Sequence, residues 1–500
     1  MNTTWPPTIE IIHLTMRFGE LTALDDVSLR FWKNRVHAIL GENGAGKSTL
    51  VKCLIGYHQP TQGQLCVMNE QVQFQNPKDA QLKGIGMVYQ HFTLIDNMTV
   101  AENFLLSSSH IPFVISWQGV KNDLMRFLER APFQVPLDER VGNLAAGQKQ
   151  KLEILKQIYL KNKILILDEP TSVLTPEEAD EVLGYLRHLV EEKMLTVILI
   201  THKLREVEKY ADDVTVLRKG KLVLTGNLSD YQRSELVRAM VGEDVSLPIR
   251  KNSVVQNQES RPIFVARKVR AEGLKDFSLV VRAGEIVGLA GVSGNGQKEF
   301  VDVLCGLQRY QAEELSVNGE AYCSDFDFLN SMGVSLLPEL PLQNACVAEM
   351  SLWENLILKN FKRRPFSRYT LMQRRNIIEQ VSKILQEYKV KYHDLDLPIR
   401  TLSGGNVQRA VLGRELTENP KLLIVANPCF GLDILAATEI RQRLMSARDS
   451  GTAVLLISED LEEILELSDR IAVLFRGKIV FEVSGDEATF EQLGHYMAVG

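Results

Sequence analysis

The chain has 500 residues, 45% hydrophobic and 24% charged, with 57 Lys and Arg against 63 Asp and Glu for a formal net charge of −6. That length exceeds what one hydrophobic core organises and predicts two domains of about 240 residues each. The basic residues are spread along both halves, Lys362-Arg363-Arg364 being the densest cluster, so the sequence carries no nucleic-acid stripe. Six cysteines form no CxxC pair and no metal-ligand spacing, the usage of reduced thiols in a cytosolic protein. The N-terminal MNTTWPPTIEII lacks a basic start followed by an apolar core, and no apolar run approaches about 18 residues, so the chain is predicted neither secreted nor membrane-spanning.

In chain order, a strand-rich stretch carrying Phe18 leads to an apolar strand, Val36 to Leu40. Then come Gly41-Glu42-Asn43-Gly44-Ala45-Gly46-Lys47-Ser48 and a helix-forming stretch, Ser48 to Ile55. The eight residues are a complete GxxxxGK[ST] phosphate loop in the strand-then-helix setting that its mechanics require. Its glycines let successive backbone N–H groups turn toward phosphate oxygens, Lys47 reaches the terminal phosphates, and the Ser48 hydroxyl suits Mg²⁺. A mainly helical middle follows. After it, the apolar runs Ile164 to Asp168 and Thr196 to Thr201 read as buried parallel strands whose carboxyl ends carry function.

Asp168, Glu169 and His202 fall at those ends. Adjacent carboxylates closing an apolar strand are costly without a cation. A lone histidine at a strand end is open between a structural and a functional reading, and Phe18 between core packing and a ligand platform. Thr175-Pro176-Glu177-Glu178 predicts a helix start, with threonine as the cap and proline in first position.

The same order then recurs. Val27-Ser28-Leu29 returns as Phe277-Ser278-Leu279, Ala101-Glu102-Asn103 as Trp353-Glu354-Asn355, and Leu217-Arg218-Lys219-Gly220-Lys221 as Leu474-Phe475-Arg476-Gly477-Lys478. The polar stretch Asn252 to Ser260 has no apolar period and reads as part of a flexible linker. The predicted division is a first domain over 1–245, a linker over 246–262 and a second domain over 263–500, each of α/β class. The second phosphate loop, Gly291 to Lys298, has Gln297 at the place of Lys47 and Lys298 at the place of Ser48. Adjacent helix residues point about 100° apart, so Lys298 cannot stand in for Lys47 and reads as a solvated surface charge.

With these residues in view, the chain resembles the ATP-binding subunits of ABC transporters over essentially its whole length, specifically those with two nucleotide-binding domains in one polypeptide. The resemblance implies two tandem P-loop domains, each with a helical subdomain. In the first half it implies that Gly41 to Ser48, with Thr49, hold ATP and that Phe18 stacks on adenine. It makes Gln90 the loop glutamine near Mg²⁺, Asp168 the metal-assisting aspartate, Glu169 the catalytic glutamate and His202 the switch histidine. Leu144-Ala145-Ala146-Gly147-Gln148 stands where the family has Leu-Ser-Gly-Gly-Gln, with Ala145 in place of serine. In the second half that signature is intact as Leu402-Ser403-Gly404-Gly405-Asn406, while Ala426, Asn427, Glu459 and Glu339 occupy the places of Asp168, Glu169, His202 and Gln90.

Domains of this family pair head to tail, so each ATP lies between one phosphate loop and the other domain's signature. The resemblance therefore implies one competent site, combining Lys47, Ser48, Gln90, Asp168, Glu169 and His202 with Ser403, Gly404, Gly405 and Asp433. Gly431-Leu432-Asp433 keeps an aspartate where Val173-Leu174-Thr175 has threonine. The implied activity is Mg²⁺-dependent ATP hydrolysis energising an importer at the cytoplasmic face of the membrane. The implied partners are two integral membrane permease subunits and an extracytoplasmic binding protein or lipoprotein.

Gln90-His91-Phe92-Thr93-Leu94, the loop Gly291 to Gln297 and the Ala426-Asn427 replacement resemble nucleoside importers associated with basic membrane lipoproteins more than ribose or galactose importers. A simple sugar is the alternative substrate. A soluble tandem ATPase acting on ribosomes or nucleic acid has two competent sites and a long basic connector, and a non-hydrolysing scaffold would not need Glu169 and His202; the sequence favours neither. Leu340-Pro341 replaces the Asp-Arg that follows Pro-Glu in this group, so coupling to one permease is expected to differ.

Overall fold

The computed structural model describes residues 6–42, 44–108, 113–242, 261–292, 294–369, 371–417, 419–430, 432 and 434–498. The chain divides into two compact units, Met1–Val245 and Ser246–Gly500. Of the expected linker, 246–260 lies outside the described residues, and Pro262 already begins a strand, Pro262–Ala271.

In the first unit a six-stranded sheet runs in the order Lys221–Asn227, Asp213–Arg218, Val36–Leu40, Thr196–Ile200, Ile164–Asp168, Ile85–Val88. The four strands Val36–Leu40, Thr196–Ile200, Ile164–Asp168 and Ile85–Val88 are parallel to one another and buried along their whole length. Being covered on both faces is why they read as unbroken apolar runs. Alternate side chains serve two cores: Ile164, Ile166, Ile198 and Ile200 join one cluster, Leu165, Leu167, Val197 and Leu199 the other. The first cluster packs against a four-stranded antiparallel sheet ordered Leu21–Phe31, Ile9–Phe18, Gln62–Val67, Glu70–Val72, the second against helices that include Ala146–Tyr159 and Pro176–Glu191. The pairing Asp168↔Ile200 aligns the carboxyl ends, where ligands of such sheets bind.

The second unit repeats the plan, with a four-stranded sheet and a six-stranded sheet ordered Lys478–Ser484, Arg470–Phe475, Ile286–Ala290, Ala453–Ser458, Leu422–Ala426, Val334–Leu337. Local chemistry explains the helix starts. Thr175 and Glu178 form the capping box that the sequence predicts, with Pro176 in the first turn, and Thr99 with Glu102 is matched by Ser351 with Glu354. The helix after the first phosphate loop spans Lys47–Leu54, one residue earlier than expected, because the left-handed turn at Gly46 (φ +105°) ends the loop there. Among the described residues no helix is long and apolar enough to cross a membrane, and the six cysteines are free thiols.

At the base of the sheets the units differ by a reversal of charge. The Val36 and Ile286 N–H groups donate to Asp212 and Asp469, both at 2.9 Å. Beside them, Arg35 pairs with Asp213 at 2.8 Å in the first unit, whereas Glu285 pairs with Arg470 at 3.0 Å in the second. His37, buried 3.2 Å from Asp213, has Val287 at its place in the second unit.

Burial lowers the His37 imidazole to about 4 and raises the Asp213 carboxyl to about 6. The neutral His37 contributes stability that is complete above about pH 6.5 and is lost as the pH falls toward 4, whereas the raised Asp213 acts in the opposite sense between about 4 and 6. His37→Val therefore reduces the destabilisation between pH 7 and pH 5 by about 2 kcal/mol relative to the unsubstituted chain. Native-state hydrogen exchange of Val36–Leu40 at the two pH values measures it.

Candidate active site

The first phosphate loop is shaped by glycines that no other residue replaces. Gly46 has φ +105°, and a Cβ there would meet the Ala23 carbonyl and Leu24 Cδ2 at 2.8 Å. Gly41 has φ +151°, and a Cβ there would collide with the Leu217 carbonyl. Lys47 is 7% exposed and folds back across the loop, its Nζ donating to the Gly41 carbonyl at 2.7 Å and the Glu42 carbonyl at 3.0 Å. Ala45 is buried, Gly44 exposed, and Ser48 and Thr49 half-buried at the first turn of the helix. Asn43 and Asp433 lie outside the described residues.

Beside the loop, the strand Ile164–Asp168 ends in two carboxylates with opposite electrostatics. Asp168 is buried, and that burial pushes its carboxyl up; Glu169 adds to the effect, while Lys47 and the Ser48 hydroxyl oppose it. Glu169 is held below the usual carboxylate range, first by hydrogen bonding to His202 and against its own desolvation. His202 Nδ1 lies 3.2 Å from Glu169 Oε1, and Gln90 Nε2 donates to Oε2 at 3.3 Å. Glu169 has φ +49°, a left-handed conformation uncommon for glutamate and typical of functional positions.

The structure thus gathers Lys47, Ser48, Asp168, Glu169, His202 and Gln90. Phe18 stands apart at its strand end, 42% exposed and edge-on to His58, so it is not a core residue.

Among the described residues no three His, Cys, Asp or Glu side chains form a metal cage. Mg²⁺ in a nucleotide site draws most of its oxygens from phosphates and water and needs one or two from the protein. Asp168 and Ser48, hydrogen-bonded to each other, supply such a donor pair, and a cation would relieve the desolvated Asp168 charge, so the first unit fits the ion. The second unit does not: Ala426 offers no oxygen and Lys298 is an ammonium.

The register Val88↔Leu167 in one sheet and Leu337↔Val425 in the other puts Glu339 at the place of Gln90. Asn427, at φ +44°, turns as Glu169 does and accepts the Glu459 N–H on its Oδ1 at 3.0 Å. At the signatures, Ser403 precedes the helix Gly404–Leu416 and its Oγ accepts from Asn406 at 2.8 Å, while Ala145 precedes Ala146–Tyr159 without a hydroxyl.

Sequence reasoning missed the network that positions these strand ends. Glu206, 7% exposed, accepts from the Thr171 hydroxyl at 2.5 Å and from the Thr201 hydroxyl at 3.1 Å, and Lys203 donates to the Thr171 carbonyl at 3.1 Å. The repeat carried the signal, because Ser458 donates to Glu463 at 2.7 Å in the same relation. Thr171→Val leaves one buried Glu206 oxygen short of its donor and is expected to cost about 1–2 kcal/mol, with Thr171→Ser restoring it; urea unfolding of the three proteins is the measurement.

The chain matches the family model described as ABC transporter over residues 24–172 and again over 274–429. It is 38% identical to the guanosine import ATP-binding protein NupO of Bacillus subtilis (strain 168), over 98% of this chain and 97% of that one. It is also 38% identical to the nucleoside import ATP-binding protein NupA of Lactococcus lactis subsp. cremoris, over 98% of each. The glucose import ATP-binding protein TsgD13 of Haloferax volcanii is 36% identical, over 99% of this chain and 96% of its own length. Two family matches, each on one of two units with the same sheet order, and relatives aligned end to end leave one conclusion: the chain belongs to the ABC transporter family, as an ATP-hydrolysing subunit with two ABC-type nucleotide-binding domains in one polypeptide.

Proposed function

We propose that this subunit powers the import of nucleosides by hydrolysing ATP at the first unit's phosphate loop, peripheral to the cytoplasmic face of the membrane. The observation that carries the hydrolytic assignment is Glu169, an ionised carboxylate at the end of a buried strand, within reach of His202 and Gln90 and under the influence of Lys47. In the proposed reaction the loop Gly41 to Thr49 cradles the phosphates and Lys47 offsets charge on the terminal oxygens. Glu169 orients water and takes its proton, and His202, held through Nδ1, keeps its other ring nitrogen for the γ-phosphate. Ser48 and Asp168, with Gln90 beside them, would hold Mg²⁺, which would supply charge neutralisation at the phosphate oxygens. The exposed Phe18 is the proposed adenine platform.

Ser403, Gly404, Gly405 and Asp433 are proposed to complement this loop, a reading supported by how the losses divide along the sequence. Members of this family that serve importers work with permease and substrate-binding partners; for this chain we assign two membrane-spanning permeases and an extracytoplasmic binding protein or lipoprotein. The nucleoside assignment rests on the two 38% identical relatives and on the Ala426-Asn427 replacement. The 36% identical glucose importer subunit supports a simple sugar as the second reading.

With the permeases present, Glu169→Gln is expected to lower phosphate release at least ~100-fold while Gln297→Ala retains most of it. Substantial turnover in Glu169→Gln would sink the single-site assignment. Uptake of labelled guanosine and of labelled ribose, measured side by side, separates the two substrate readings.

A further inference from the structure

The second unit's phosphate loop keeps the two glycine turns that lead into its helix while its chemistry has changed. Gly294 and Gly296 hold φ of +88° and +117°, against +80° and +105° at Gly44 and Gly46. The turn that presents backbone N–H groups at the start of the helix Gln297–Leu304 is therefore preserved, and such a row of N–H groups is an anion-binding concavity. Where Lys47 bonds two loop carbonyls, the second unit has Gln297. Gln297 is 8% exposed, and both its Nε2 and its Oε1 are buried without a hydrogen-bond partner. The amide lies inside the loop, since a Cβ on Gly291 would fall on its Nε2. A buried amide with neither atom bonded calls for a partner, and at the mouth of a row of loop N–H groups an anion would supply one.

We propose that this loop holds a nucleoside diphosphate without a divalent cation. The proposal rests on the nucleotide reading of the first loop and departs from it in metal and in phosphate number. The pair Ser48 and Asp168, which suits Mg²⁺, is here Lys298 and Ala426, so the oxygens are gone and an exposed lysine on the first helical turn, able to reach a bound anion from solvent, stands at the place of Ser48. Gln297 Nε2 can donate to a phosphate oxygen, but a neutral amide does not balance a third phosphate as Lys47 does. On the side where Gln90 and His202 stand in the first unit, the second has Glu339 and Glu459, two exposed acidic residues, so a third phosphate there would meet added negative charge. With Asn427 at the place of Glu169, no carboxylate stands ready to activate water, so the ligand is retained and not cleaved.

The test uses the full chain carrying Lys47→Ala, which removes the first loop from the measurement, with ADP and ATP as probes in equilibrium dialysis with chelator or with Mg²⁺. ADP is expected to bind in chelator at least ~10-fold more tightly than ATP, with less than ~3-fold change on adding Mg²⁺. Lys298→Ala and Gln297→Ala should each weaken ADP ~10-fold. Gln297→Lys, which keeps the loop filled, should raise ATP affinity relative to ADP, as should Glu339→Gln with Glu459→Gln. Protection of the amides of Asn295 to Phe300 from hydrogen exchange by ADP locates the site. No ADP binding in the Lys47→Ala chain, ATP binding at least as tight as ADP, or a requirement for Mg²⁺ would each overturn the proposal. Turnover of the chain without substitutions, measured in parallel, reports failure of the hydrolytic reading separately.

Discussion

The turn at residue 169 depends on one backbone hydrogen bond, from the Glu169 N–H to the Ile200 carbonyl at 2.9 Å. It ties the end of one buried strand to the next and fixes the left-handed turn on which the carboxylate leaves the sheet. The position of Glu169 relative to His202, which follows Ile200 by two residues, is set by that bond before any ligand arrives. The second unit keeps the same bond, Asn427 N–H to Ile457 carbonyl at 2.7 Å, with a residue type that tolerates the left-handed region better. The turn is thus common to both units, and the first places on it a residue less at ease in that conformation.

Around that bond the site separates two adjacent acids into different roles by environment. Asp168 is buried and pushed toward neutrality, a condition that a cation reverses; Glu169 is kept ionised by its hydrogen-bonding partner. Neither state is a property of the side chain alone. It follows from strands covered on both faces, which bring desolvation to the strand end, and from the loop that puts Lys47 beside both acids.

Much of this was legible in the sequence because the controlling features are local. The loop Gly41 to Ser48, the apolar runs ending at Asp168 and Thr201, and the cap at Thr175 are contiguous patterns whose physics acts within a few residues. The network of Thr171, Thr201, Lys203 and Glu206 shows in the sequence only as a repeated spacing, a strand-end hydroxyl with a glutamate five residues on, because its bonds depend on neighbouring strands being in register. Nor could the sequence reveal that Gln297 has no bonding partner. A glutamine in a phosphate loop reads as a lost lysine, and only packing shows an amide still waiting for one.

The reversed ion pairs, Arg35 with Asp213 and Glu285 with Arg470, bear on how a duplicated gene keeps its copies distinct. The members of each pair are far apart in sequence. A recombination tract copying one half into the other across only one member would set two cations or two anions against each other in a partly buried place. Each half therefore accepts the other's residue at one of these positions only together with the other's residue at the second.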